Sequence, residues 1–188
     1  MNRMNGMTSI LKKRATIAIR VAKATALIVT VCAFAIGQSK PQVHLDAEGL
    51  APRPIEELTG KTITRDYASA WSDLAAVLDS GQADRLGEYF IGFAKDNFTH
   101  RVADQNQTGV HVRITDNGHQ LKAVFYATDG TSMQLVDRAQ LEIQTFDGNK
   151  LLDTESAVHQ YMVLMTPGAD RWYVRDLEEM PASSPQGL

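Results

Sequence analysis

The sequence predicts an α+β domain, with helices first and an antiparallel sheet after them. Two observations carry this. Between residues 62 and 80 the apolar side chains recur at steps of three and four, the stripe of an amphipathic helix. From residue 110 onward they recur at every second position, between dipeptides that favour turns. Helical patterns segregated ahead of a run of strands belong to α+β architectures, in which helices cover one face of a sheet.

The stripe of the first helix is Ile63, Tyr67, Ala70, Trp71, Leu74 and Leu78, and Gly81 stands where a left-handed C-terminal cap is expected. Leu86, Phe90, Phe93, Phe98 and Val102 continue a helical period. Gly87 and Gly92 interrupt it, which predicts a short helix and then a longer one ending near Gln107 and Gly109. Val110, Val112 and Ile114 then alternate with His111 and Arg113 up to Asn117-Gly118, a strong hairpin signal. Leu121, Ala123 and Phe125 carry the alternation to Asp129-Gly130. A strand over 133–146 ends at Asp147-Gly148, another over 151–165 ends at Pro167 and Gly168, and Trp172, Val174 and Asp176 mark the last. The expected sheet is thus a five-stranded antiparallel meander, each of the three Asx-Gly pairs joining adjacent strands. Trp71 and Trp172 should be buried, because each stands on the apolar face of its element. The domain is expected over residues 62–178, with a disordered tail at 179–188.

Ahead of the domain lies a different kind of segment. Arg3, Lys12, Lys13, Arg14, Arg20 and Lys23 precede the apolar run at 24–37, and no acidic residue occurs before Asp46. This predicts a basic cytoplasmic tail at 1–23 and a domain translocated across the membrane. Taken from residue 24 the run is short for a spanning helix and suits a signal peptide, with Ala33-Phe34-Ala35 and Ala35-Ile36-Gly37 as small-x-small cleavage patterns. Taken from residue 15, with Arg20 and Lys23 snorkelling to the headgroups, it spans a bilayer as a retained anchor. The retained anchor is preferred: a single pass in an inner membrane with the domain on the periplasmic side, the alternative being cleavage and release into the periplasm. Residues 38–61, with Pro41, Gly49, Pro52 and Pro54, read as a linker.

Composition narrows the chemistry. The net charge is −3, with 44% hydrophobic and 22% charged residues, and no basic cluster marks the domain, so nucleic acid is not an expected partner. The single cysteine, Cys32, lies in the apolar run and cannot form an intramolecular disulfide. Neither a Gly-rich phosphate loop, nor His-Glu-x-x-His, nor Gly-x-Ser-x-Gly occurs, and no cofactor, metal site or catalytic residue is assigned.

His100, His111 and His119 sit beside polar neighbours and read as exposed. His159 shares a strand face with Glu155, Ala157, Tyr161, Val163 and Met165, where it would project into a pocket. Asp66 and Asp137 are carboxylates that such a base would need. The plainer reading of Asp137 is an ion pair with Arg138 or Arg113, and whether His159, Asp137 and Asp66 share a pocket is open. Tyr67, Trp71, Phe90 and Phe93 read first as core and secondly as the floor of a ligand cavity.

Tyr67-Ala68-Ser69-Ala70-Trp71 on the first helix and Asp170-Arg171-Trp172-Tyr173-Val174-Arg175 in the last strand resemble the nuclear transport factor 2-like superfamily. The resemblance implies helices folded onto a strongly curved sheet, a cone with a cavity at its wide end, often paired through the sheet into a homodimer. Some of its members, polyketide cyclases and ketosteroid isomerases, transfer protons with a pocket carboxylate or histidine, but no such pair matches here residue by residue. The order of basic tail, single span, linker and domain is similar to inner-membrane scaffold subunits of bacterial secretion systems. Two functions follow. The preferred one is a membrane-tethered or exported non-enzymatic domain that works through contacts with membrane or envelope proteins, or through passive binding of a small ligand. The other is a pocket enzyme of the cyclase or isomerase kind, using His159 with Asp137 or Asp66.

Overall fold

The structure, a computed structural model, describes residues 40–181. The basic tail, the apolar segment at 24–37 and the tail beyond Pro181 lie outside the described residues, so the expectations placed on them are not addressed by the fold. Within the described residues no helix is long and apolar enough to cross a membrane.

In chain order the elements are β1 (Val43–Asp46), α1 (Glu57–Ser80), a 3-10 turn at Ala83–Glu88, α2 (Gly92–Thr108), β2 (Val110–Tyr126), β3 (Met133–Asp147), β4 (Lys150–Pro167) and β5 (Trp172–Glu179). The α+β class is as expected. Helix α1 buries the predicted stripe, and its end is closed by Gly81 at φ 70°, whose N–H donates to the Val77 carbonyl at 2.9 Å. Gly109, at φ 75°, closes α2 in the same way on the Gln105 carbonyl.

The sheet departs from the expectation in two ways. Its order is β1-β2-β3-β4-β5, and β1 pairs parallel to β2 while the other pairs are antiparallel, so the sheet is mixed. Part of the presumed linker is therefore sheet, and α1 begins at Glu57, ahead of the expected start at residue 62. Secondly, Asn117-Gly118 does not join two strands. It lies inside the single 17-residue strand β2, where the register shifts between Asp116 and His119. This is a β-bulge, and an extra residue there moves the inward-facing set from even to odd positions. Val112 and Ile114 face the core before it, His119, Leu121 and Ala123 after it. Asp129-Gly130 and Asp147-Gly148 do connect antiparallel neighbours, as predicted.

One face of the sheet packs on α1, α2 and the 3-10 turn. Tyr67, Trp71, Leu74 and Leu78 from α1, Leu86, Phe90 and Val102 beyond it, and Leu121, Leu135, Leu141, Val163, Met165, Trp172 and Val174 from the strands form this core. Both tryptophans are buried as expected, whereas Phe93, at the start of α2, is exposed.

Candidate functional site

The bulge builds the most polar point of the interior. Asp116 turns its carboxylate back along the strand: one oxygen accepts the Gly118 N–H at 2.9 Å, the other lies 2.7 Å from His119 Nε2. Because the register has shifted, His119 points inward, where its Nδ1 lies 2.7 Å from Asp137 Oδ2. Register does the rest, since Leu121 of β2 opposes Asp137 of β3 and places the carboxylate one step from the histidine. Tyr67 of α1 donates its hydroxyl to the same Asp137 oxygen at 2.8 Å. Trp71, one helical turn on, lays its ring 4.7 Å from the imidazole. His119 and Asp137 are fully enclosed.

Two carboxylates on one imidazole fix its state. For both ring nitrogens to donate, the ring must be an imidazolium. Burial alone disfavours that charge, yet the hydrogen bonds to Asp116 and then Asp137 outweigh it and push His119 up to about 9. Burial first, and then the negative charge of Asp137, hold the Tyr67 phenol well above its usual range, so it remains a donor. The His119 imidazolium has no free nitrogen lone pair to take a proton from a substrate at neutral pH.

The three residues singled out from the sequence do not meet. Asp137 pairs with His119 and Tyr67, not with Arg138 or Arg113. Asp66 accepts the Trp172 backbone N–H at 2.8 Å and the Arg65 Nε–H at 2.8 Å, pinning α1 to β5. His159 pairs through Nδ1 with Glu179 Oε1 at 2.7 Å, a carboxylate that sequence reasoning did not single out. They border an open depression of about 370 Å³, lined also by Arg138, Glu155, Val158 and Met180. The other ring nitrogen of His159 is enclosed without a partner. Tyr161 lies between the two groups, 5.4 Å from Trp71 and 6.3 Å from His159, and burial, then Glu179, raises its phenol.

His119 was the residue missed. Its polar neighbours predict an exposed ring, but it is buried, and it stands two residues before Leu121 in the same alternation of the strand. Among the described residues no group of three or more His, Cys, Asp or Glu side chains is arranged to hold a metal ion.

No protein-family model matches the sequence, and no curated protein sequence matches it. Solved structures resemble it in shape. The intermembrane space region of chloroplast protein ARC6 is 16% identical and aligns over 70% of this chain and 100% of that one, with a TM-score of 0.58. A protein from the NTF2-like family of Streptomyces avermitilis is 8% identical over 66% of this chain and 99% of its own, with a TM-score of 0.45. ActVI-ORFA from Streptomyces coelicolor is 13% identical over 62% and 94%, with a TM-score of 0.43. The likeness to the ARC6 region is one of fold alone.

Proposed function

We propose that this chain carries a non-enzymatic binding domain of the nuclear transport factor 2-like kind, tethered to or exported across a membrane by its N-terminal segment and working through contacts with other proteins. The observation that carries the reading is the closure of the His119 cluster. The interior histidine has both nitrogens on carboxylates and Trp71 against its ring, so the cluster ties β2, β3 and α1 together and the ring has no nitrogen left for a substrate. Extracytoplasmic placement rests on the cations before residue 24 and the absence of acids before Asp46.

Nitrogen NMR of the His119 ring tests this directly. An imidazolium at pH 7, losing its proton only near pH 9, is the expected result. A neutral ring with one bare nitrogen at pH 7 would overturn the reading and make His119 itself a candidate base.

A second reading rests on His159. An imidazole paired with Glu179 beside an open depression has the parts of a weak general base. Its unpaired nitrogen, however, is enclosed rather than turned to the depression. Saturable binding of a small carbonyl compound, lost in His159→Gln, would favour this reading.

A further inference from the structure

Strand β4 is longer than its neighbour. β5 pairs with it from Tyr161 to Pro167, and the Met180 N–H adds a bond to the Gln160 carbonyl. Before Gln160, β4 is paired only to β3, and among the described residues no strand covers its other edge. The Gln160 bond shows which residues turn their backbone that way. N–H and C=O of one residue point to the same side of a strand, so Thr154, Ser156 and Val158 aim theirs away from β3, along the edge that no described strand covers. These residues are exposed, Val158 by 54%. An uncovered edge of this kind is a template for another strand.

The sequence of the edge says which strand. A second copy pairing about a two-fold axis keeps faces matched, so residues of like parity oppose each other. Centred on residue 153 the pairing sets Asp153 against Asp153, centred on 154 it sets Asp153 against Glu155, and centred on 155 it sets Glu155 against Glu155. Directly opposed like charges are unfavourable. Centred on 156 or beyond, the second chain runs into the place that Glu179 and Met180 already occupy. The edge thus disfavours its own copy in each of these registers and is complementary to a cationic strand.

We propose that the open edge of β4 over residues 153–158 is a docking site for an extended segment of another protein, one that carries Lys or Arg at alternate positions opposite Asp153 and Glu155. The main chain of Thr154, Ser156 and Val158 supplies the ladder, and the two carboxylates supply charge selection. This rests on the reading of the domain as a protein-binding module. The His119 measurement tests that reading by itself, whereas the following experiment addresses the edge alone.

Amide exchange is followed by NMR on the full chain in mild detergent, with the synthetic peptide acetyl-Thr-Lys-Val-Lys-Val-Lys-Thr-amide as probe. The expected result is exchange slowed by about tenfold at Thr154, Ser156 and Val158 and unchanged in β2. The same peptide with Glu for Lys, or with N-methylated backbone amides, should give no protection. The double variant Asp153→Lys, Glu155→Lys should reverse the preference towards the Glu peptide, and since both positions are exposed its circular dichroism should be unaltered. Equal protection by both peptides, no protection by either, or protection that grows with protein concentration alone would each overturn the proposal, the last by showing that a second copy is the occupant.

Discussion

At the scale of single residues, His119 sets a pH dependence. Its folded value of about 9 stands above the ordinary 6.5, so the imidazolium contributes its full stabilisation below about pH 6.5. That contribution is lost as pH rises through about 9, and for an enclosed ring it is on the order of 3 kcal/mol. Urea unfolding from pH 6 to pH 10 should show stability declining across this window. In His119→Ala the decline should vanish, and the protein should be weaker by about 3–5 kcal/mol below pH 6.5, where two carboxylates are left without their cation, a deficit that narrows as the wild type loses its own imidazolium towards pH 10. A wild-type profile flat from pH 6.5 to 9 would show that the ring is neutral. Asp66 illustrates the other use of a buried carboxylate. It is 2% exposed and is held by a backbone N–H and Arg65, a structural tie rather than a base.

Among the elements, β2 decides the site. A strand with one phase of alternation would turn either Ile114 or His119 away from the core. The bulge lets both face inward, and Gly118 makes it possible with φ 125°. A Cβ at Gly118 would stand 3.2 Å from the Gln42 carbonyl, beside the point where the His119 N–H bonds that same oxygen. Gly118→Val should therefore destabilise the fold by about 1–3 kcal/mol, the usual cost of a side chain held in a sparsely populated backbone region. The measurement is a shift in the urea midpoint together with faster amide exchange at His119. An unchanged midpoint would mean that β1 and the bulge yield at no cost.

At the scale of the whole molecule, the proposed topology, argued from charge and hydropathy, has the N-terminus inside and the domain outside. Sequencing the mature N-terminus should find the chain uncut, with the domain digested by protease only from the extracytoplasmic side. A start at Ile36 or Gln38 in a soluble fraction would turn the anchor into an export signal. Digestion from the cytoplasmic side alone would overturn export itself.

The sequence by itself determined the α+β class, the face that α1 buries, the glycine caps of both helices, the two later hairpins and the burial of Trp71 and Trp172. Each of these follows from local chemistry: a period, a left-handed glycine, a turn dipeptide. Only the tertiary structure decided that Asn117-Gly118 is a bulge, because a turn and a bulge use the same residues and differ in which strand lies alongside. It also decided that residues 43–46 join the sheet, since a short parallel strand is specified by its neighbour β2 and not by its own pattern. The site went unread for the same reason. His119, Asp116, Asp137 and Tyr67 are brought together by register and by helix packing, which are relations between distant segments, and the pairing of His159 with Glu179 appears only once β5 lies beside β4.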